Sequence, residues 1–439
     1  MTLDNLESHS PQCQFFVLRK KRLCRMTVRP GHSYCGEHQP DPGADGNNVD
    51  SRIPCPNDPK HTCFASKLAK HLTICNARLE EHPAYIQKNV NTITEDSPPK
   101  KSLTEIPLLE LRALTKKVNQ LFEQYVQNEI ETLTDRDIHP VVVEEFALSG
   151  RTESSLRHLR QVSRLMYVIE EEEMVQESTC YVELGAGKGQ LSYFAWQAWC
   201  ATSKNSRVLC VERASLRHKH DNKIRNILRE SNPKSTNSAQ ANDGNISIMD
   251  ESTRLRADLA HLLLHAVPSV EICKNVVGFA KHLCGVATDY SLRCLVSPGV
   301  ISKTQGILIA TCCHHRCQRD GYVANEHLLD LGLNAEEFNI ILGVVSWATC
   351  GDGRSRSKKT EPKETSSDRS PDTTTTVGSK GLGLSREERE EIGRRAKALL
   401  DWGRVLYLRK CGFSAHLAHY VPNTVSLENI CIIAKRETP

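Results

Sequence analysis

Short apolar runs alternate with stretches of helical periodicity from Cys180 onward, and this alternation restricts the fold more than any other feature of the 439-residue chain. Such alternation predicts a mostly parallel β-sheet covered by helices on both faces. We therefore predict an α/β domain over residues 151–439. The expected strands are residues 181–184, 208–211, 276–280, 306–310, 340–345, 415–420 and 430–434.

A glycine-rich turn follows the first expected strand, in Tyr181-Val-Glu-Leu-Gly-Ala-Gly-Lys-Gly-Gln190. Gly185, Gly187 and Gly189 let the backbone turn tightly and approach a ligand. The G-x-G-x-G spacing lacks the G-K-[ST] ending of a phosphate-binding loop. Glu183 would repel a pyrophosphate but would balance the ammonium or sulfonium of S-adenosylmethionine. The turn therefore favours S-adenosylmethionine over a nicotinamide cofactor.

Two further acids support this interpretation. Glu212 ends the second strand about 20 residues on, where a carboxylate can accept both ribose hydroxyls. Asp258 is a candidate third contact near the adenine, although a role as a helix cap would also explain it.

Reactive side chains crowd the ends of two later strands, where ligands bind in open α/β sheets. The segment Ala280-Lys-His-Leu stands where an exocyclic-amine methyltransferase carries an Asn/Asp-Pro-Pro-aromatic element, which argues against base-amine chemistry. A ribose 2′-hydroxyl fits better, since it needs a base or a cation to prepare it for attack. The candidate catalytic residues are Lys281, His282, His314 and His315.

Other interpretations stay open at these strand ends. Cys284 or Cys312 could attack a pyrimidine ring covalently, as in a cytosine-C5 RNA methyltransferase. The cysteines could instead form a third metal site or be inert. A third hypothesis is a non-enzymatic zinc-finger RNA-binding protein with a vestigial methyltransferase fold.

Two compact Cys/His clusters precede this domain. The first, in residues 10–40, reads C-x10-C-x10-C-x2-H, and the second, in residues 52–79, reads C-x5-H-x9-H-x3-C. These residue types bind tetrahedral Zn²⁺, and modules this small usually need a metal or a disulfide. In the second cluster Cys63 could replace His61. The predicted ligands are Cys13, Cys24, Cys35, His38, Cys55, His61, His71 and Cys75.

Local charge indicates a nucleic-acid partner more than the net charge of +4 does. Basic residues of the first module suit phosphate contacts; they are Arg19, Lys20, Lys21, Arg22, Arg25 and Arg29, against the single acid Glu37. A second basic segment, predicted as a helix before the cofactor strand, suits phosphates near the active site. It contains Arg151, Arg157, His158, Arg160 and Arg164.

The remaining segments are a linker and two insertions. Residues 103–150 carry apolar residues at mostly three- and four-residue steps and are predicted as a helical linker. Residues 231–244 and 350–381 are too polar to order and are predicted as mobile or disordered insertions. The N-terminus lacks the features of a signal peptide and no apolar run approaches about 20 residues, so we expect an intracellular protein, nuclear or cytosolic, with no membrane partner.

On these residues the chain resembles the eukaryotic tRNA 2′-O-methyltransferase family that modifies the acceptor stem. The most specific marks are the segments 182–190, 281–289 and 312–317. The resemblance implies a Rossmann-like fold and methylation of the ribose of the fourth acceptor-stem nucleotide in glycine, proline and histidine tRNAs. It also implies S-adenosylmethionine and two structural Zn²⁺ ions as cofactors and tRNA as the partner. The Lys-Asp-Lys-Glu tetrad of many other ribose methyltransferases is not evident, so the resemblance does not identify the base.

Overall fold

The computed structural model describes residues 12–18, 22–35, 38, 52–75, 83–93, 98–201, 203, 205–216, 220–231, 252–350 and 382–437. The chain forms two compact units, Met1–His82 and Pro83–Pro439. Apart from their first residues, the insertions predicted at 231–244 and 350–381 lie outside the described residues. No helix within the described ranges is long and apolar enough to cross a membrane.

Among its described residues, the first unit contains two β-hairpins and one α-helix. The first hairpin surrounds a small buried cluster of three cysteines and Val28. A module with so little apolar surface to bury usually needs a metal or a disulfide to be stable. The elements are β1 (Phe16–Val17), β2 (Arg22–Leu23), β3 (Arg52–Cys55), β4 (Asp58–Phe64) and α1 (Leu68–Ile74).

An eight-stranded sheet forms the centre of the second unit, in the order β5-β11-β12-β10-β9-β6-β7-β8. Its strands are β5 (Ile130–Thr132), β6 (Thr179–Leu184), β7 (Arg207–Val211), β8 (Ser252–Leu255), β9 (Asn275–Cys284), β10 (Thr304–Cys312), β11 (Phe413–His419) and β12 (Ile430–Arg436). All neighbours pair in parallel except β12, which is antiparallel to both β10 and β11. The mostly parallel sheet is therefore confirmed. From β8 the order follows the 3-2-1-4-5 pattern of a doubly wound sheet, whose topological switch point falls between β6 and β9.

Helices cover both faces of this sheet, as predicted. Successive residues of β6 enter opposite hydrophobic cores: Tyr181 packs in one, and Val182 in the other. This follows from the two-residue period of a strand. The helices are α2 (Leu108–Tyr125), α3 (Pro140–Phe146), α4 (Glu153–Glu171), α5 (Gln190–Ala195), α6 (Asp221–Ser231), α7 (Pro268–Glu271), α8 (Val286–Leu295), α9 (Asn325–Asp330), α10 (Ala335–Val344), α11 (Trp347–Cys350) and α12 (Arg386–Lys410).

Residues 340–345 were expected to form a strand, and this expectation is wrong because they lie mostly in α10. A capping box between Asn334 and Glu337 starts the helix, with each side chain accepting from the other residue's backbone N–H. A short apolar run does not by itself distinguish a buried strand from a buried helix.

The segment 103–150, expected to be a linker, is part of the second unit. Leu111, Leu114 and Val118 of α2 are buried in its core, and Ile130 lies in the edge strand β5 instead of continuing the helix. The apolar face of α2 is therefore packed as part of the domain.

Candidate functional site

The first Cys/His quartet comes together in the structure, with its four ligand atoms within 4.8 Å of one another. The Cys24 and Cys35 Sγ atoms are 4.0 Å apart, and His38 Nδ1 lies 3.4 Å from Cys35 Sγ and 3.6 Å from Cys13 Sγ. A tetrahedral zinc ion with Zn–S near 2.3 Å places its ligand atoms about 3.4–3.8 Å apart, so the quartet fits this ion. Phe15 stacks on the His38 ring at 3.9 Å and orients it.

The second quartet, Cys55, His61, His71 and Cys75, also converges within 4.8 Å. His71 Nε2 lies 3.2 Å from both Cys55 Sγ and His61 Nε2, and Cys75 Sγ lies 3.4 Å from His61 Nε2. His71 is in α1, while Cys75 is its extended C-cap residue, so the helix presents only the first of the pair. Cys63 is buried but is not part of the quartet, which keeps His61 as the ligand candidate.

The structure supports only part of the predicted phosphate contacts of the two basic segments. Arg25 and Arg29 of the first module are exposed, whereas Arg19, Lys20, Lys21 and Glu37 lie outside the described residues. In the second basic segment two of the arginines, Arg151 just before α4 and Arg164 within it, pair with glutamates of the protein, so these two do not support the predicted phosphate contacts. Arg151 binds Glu145 at 2.7 Å, and the buried Arg164 binds Glu171 at 2.8 Å.

The glycine-rich turn connects β6 to α5 at the switch point of the sheet. Gly185, Gly187 and Gly189 have φ of +68°, +53° and +76°, a region that side chains other than glycine adopt at a cost. A Cβ at Gly187 would meet nothing within 4 Å, whereas a Cβ at Gly185 would lie 2.7 Å from Leu283 Cδ1. The turn is therefore tight on one side and open on the other, as a cradle for a ligand requires.

Glu183 is buried at the end of β6 and binds the first turn of α5. Its Oε2 accepts a hydrogen bond from the Ser192 hydroxyl at 2.5 Å and from the Ser192 backbone N–H at 2.9 Å. Burial raises the pKa of Glu183 to about 7, against the lowering effect of the Ser192 hydrogen bonds and of Arg254 and Lys281. A cationic ligand placed beside Glu183 would favour the ionised form.

Glu212 lies where the second strand ends, as expected, and contacts the glycine turn directly. Its Oε2 accepts from the Gly187 N–H at 2.9 Å, and its Oε1 accepts from the Ala214 N–H at 2.8 Å. Each carboxylate oxygen has a second lone pair, so both can accept further hydrogen bonds from a ribose. The open turn and the fixed carboxylate fit S-adenosylmethionine.

Asp258 acts as a cap in the structure. Its Oδ1 accepts from the Ala260 N–H at 3.0 Å at the start of a 3₁₀ turn, and its Oδ2 lies 3.3 Å from Arg213 Nη1. A contact with the adenine stays a prediction for this residue.

Lys281 and His282 meet two side chains of α4 at the end of β9. Lys281 Nζ lies 2.7 Å from His158 Nδ1 and 3.2 Å from Gln161 Oε1. His282 Nε2 lies 2.9 Å from the same Gln161 oxygen, and the rings of His282 and His158 stack at 6.0 Å. We name these four residues the lysine cluster.

Partial burial changes the proton affinity of this cluster. It lowers the pKa of Lys281 to about 7, although the nearby Glu183 acts in the opposite direction. It also lowers the pKa of His282 to about 4, with the Lys281 charge adding to the effect. At neutral pH His282 is therefore neutral, and a large fraction of Lys281 carries no proton.

His314 is separate from the lysine cluster in its contacts and belongs to a buried polar network. His314 Nε2 lies 2.9 Å from Asp401 Oδ1, and the Thr311 hydroxyl donates to Asp401 Oδ2 at 2.7 Å. Arg404 joins Asp401 at 2.7 Å to Asp289, also at 2.7 Å. Burial lowers the pKa of His314, which favours its neutral form.

His315 lies in the same 3₁₀ turn after β10 as His314, but its side chain is exposed. His314 instead lines a cavity of about 220 Å³ at the carboxyl edge of β10 and β11, where its buried Nδ1 has no hydrogen-bond partner among the described residues. Lys397, Glu428 and Asn429 also line this cavity. The structure therefore divides the four catalytic candidates between the lysine cluster, the cavity and the surface.

Residues 160–435, more than half of the chain, match the family model described as Methyltransferase TRM13. The chain belongs to this methyltransferase family. Residues 11–39 match the CCCH zinc finger in TRM13 protein, and residues 52–76 match a U11-48K-like CHHC zinc finger. The predicted family, S-adenosylmethionine as cofactor and the zinc-finger modules are thereby confirmed.

Relatives of this methyltransferase match it over nearly their whole length. The tRNA:m(4)X modification enzyme TRM13 homologs of Mus musculus and Homo sapiens are each 32% identical, with 96% of this chain and 94% of theirs covered. The tRNA:m(4)X modification enzyme TRM13 of Saccharomyces cerevisiae is 26% identical, with 97% and 96% covered.

Sequence reasoning missed the role of Gln161 and placed His158 among phosphate contacts of this methyltransferase. It also missed Asp401 and Arg404, which hold His314. No spacing signal links these residues to their partners, because Gln161 precedes Lys281 by 120 residues and Asp401 follows His314 by 87.

Proposed function

We propose that this methyltransferase transfers a methyl group from S-adenosylmethionine to the ribose 2′-hydroxyl of the fourth acceptor-stem nucleotide of tRNA, in glycine, proline and histidine tRNAs. The observation that supports this most is the similarity, over 96% or more of the chain, to enzymes named for tRNA:m(4)X modification. The exposed arginines of the first finger suit contacts with tRNA phosphates.

Glu183, Glu212 and the three turn glycines are the residues proposed to hold the cofactor. Bound there, S-adenosylmethionine supplies an electrophilic methyl on a sulfonium. Glu183 would balance the positive charge, and Glu212 would accept from the ribose hydroxyls while it holds the Gly187 N–H. Both carboxylates end neighbouring parallel strands, so one ligand can contact both.

Lys281 is the proposed general base. An uncharged lysine amine has two N–H groups and one lone pair. Donation to Gln161 and His158 uses the two hydrogens and leaves the lone pair to accept the proton of the 2′-hydroxyl. A pKa near 7 suits this task, because the neutral form is abundant while its conjugate acid is still stable.

Gln161 and His282 position this base. A neutral His282 with its proton on Nε2 donates to Gln161 Oε1, which fixes the amide so that the same oxygen accepts from Lys281. The low pKa of His282 keeps a second positive charge away from Lys281. His314 and His315 stay predictions without a role in this proton transfer.

The experiment is incubation of the full chain with unmodified tRNA and S-adenosylmethionine, followed by digestion and mass spectrometry of the nucleosides. A 2′-O-methylnucleoside at position 4 is expected. 5-Methylcytidine would refute ribose chemistry and favour attack by Cys284 or Cys312, and no product with retained RNA binding would favour the non-enzymatic hypothesis.

Variants of Lys281 separate a base from a phosphate contact. Lys281→Arg keeps a positive charge but has a pKa above about 12, so a general base is lost while a phosphate contact is kept. We expect a fall in kcat of at least about 100-fold. Lys274→Arg changes an exposed lysine just before β9 and is the matched control with unchanged kcat.

A further inference from the structure

Three thiols with no part in the proposed reaction lie together where β9 and β10 end. The Sγ atoms of Cys284, Cys312 and Cys313 all lie within 4.8 Å of one another. Those of Cys284 and Cys312 are 3.4 Å apart, and none of the three forms a disulfide. Cys312 is buried, and the other two are half-buried. We name these residues the thiol triad.

Strand register and two tight turns bring the triad together. Cys284 and Cys312 are directly paired in the parallel register of β9 and β10, which puts their side chains on one face. Cys313 follows in a left-handed conformation, with φ of +48°. A Cβ at Gly285 would lie 2.5 Å from the carbonyl carbon of Arg316, so the absence of a side chain there lets the two turns pack closely.

The separations within the triad are those of thiols that share a metal. Two thiolates on one tetrahedral zinc ion lie about 3.8 Å apart for a Zn–S bond near 2.3 Å. In the two fingers, the Cys24–Cys35 and Cys55–Cys75 Sγ distances are 4.0 and 3.6 Å. The Cys284–Cys312 distance of 3.4 Å is close to this range.

We propose that the thiol triad binds a third divalent ion in this chain. Three thiolates favour a soft or borderline ion such as Zn²⁺ over Mg²⁺ or Ca²⁺. No fourth Cys, His, Asp or Glu among the described residues joins the group, so water or another oxygen ligand takes the remaining position. Three protein ligands and one exchangeable ligand is the arrangement of reactive zinc sites, whereas structural sites have four protein ligands.

The charges around the triad favour a bound ion. Three thiolates and one Zn²⁺ carry a net charge of −1, and the exposed guanidinium of Arg316 interacts electrostatically with Cys284. The site therefore needs no further acidic ligand. It lies beside the proposed base, but its metal content can be measured independently of methyl transfer.

The test is the zinc content of the full chain, purified with a reductant and dialysed against metal-free buffer, by inductively coupled plasma mass spectrometry. We expect about three zinc ions per chain, of which the fingers bind about two. Cys312→Ser is expected to lower the content to about two. Cys294→Ser removes a buried thiol of α8 outside the triad and should leave about three.

A second pair of variants keeps the test valid if Cys312→Ser does not fold. Cys313→Ser removes a half-buried ligand, and Gly285→Ala separates the turns without removing a thiol. Both are expected to lose about one zinc per chain with native tryptophan fluorescence. In the Co²⁺-substituted chain, each should also lose part of the thiolate-to-cobalt charge-transfer absorbance.

Two results would overturn the proposal. One is a content of about two zinc ions in the unaltered chain, with a Cys284–Cys312 cross-linked peptide found without reductant, which would make the triad a redox pair. The other is a content of about three ions that persists in folded Cys312→Ser and Cys313→Ser, which would place the third ion elsewhere.

Discussion

Replacement of Asp401 by asparagine tests how much the buried polar network around His314 contributes to the stability of the second unit. Asp401 is 1% exposed and accepts from the Thr311 hydroxyl, from His314 and from Arg404 at 2.7–2.9 Å. The asparagine amide would present an N–H₂ group to these donors, so at least one of the bonds is lost and one buried donor is left unpaired. Asp289 still neutralises Arg404, which limits the damage.

The expected cost is near the lower end of that for breaking a buried ion pair, about 3–4 kcal/mol. The unit Pro83–Pro439 has about 360 residues. At about 2.1 cal/mol/K per residue its unfolding entropy is about 0.75 kcal/mol/K, so Tm should fall by about 4–5 °C.

Thermal unfolding followed by tryptophan fluorescence measures this directly, because all four tryptophans lie in this unit. Asp330→Asn, at an exposed position at the end of α9, is the control, with an expected shift under about 1 °C. A shift for Asp401→Asn under about 1 °C, or one equal to that of Asp330→Asn, would refute the reasoning.

Further predictions concern the cofactor turn, the base and the fingers. The kcat should rise about tenfold per pH unit below pH 7 and level off above it, because the proposed base Lys281 acts only when deprotonated and its pKa is about 7. A kcat that keeps rising until about pH 10, where an ordinary lysine titrates, would contradict this. Gly187→Ala should weaken S-adenosylmethionine binding at least about tenfold by calorimetry, because the added methyl enters the open side of the turn where the cofactor is proposed to lie. Gly332→Ala is the control: it has a similar φ of +67° on a distant loop and should leave the affinity for S-adenosylmethionine unchanged. Cys24→Ser should remove about one zinc ion per chain without a change in S-adenosylmethionine affinity; retained zinc would exclude the first quartet as a site.

The zinc quartets and the cofactor turn could be predicted from the sequence because their members are close along the chain. The positions of metal ligands at short spacings and of glycines at a strand end depend on the local backbone, so the spacing along the sequence is enough to predict them. Most strands were also predictable, since their apolar runs must be buried in any α/β fold. The run at 340–345 was not, because its burial is equally compatible with a helix.

Only the tertiary structure determined which side chains contact each other at the carboxyl ends of β9 and β10. The docking of α4 brings Gln161 and His158 to Lys281, and the docking of α12 brings Asp401 to His314, across 87 to 123 residues. The β9–β10 register brings Cys284 beside Cys312. Sequence determined which reactive residues lie at strand ends, but only the packing of distant elements determined which of them touch, because such contacts depend on the whole core rather than on local spacing.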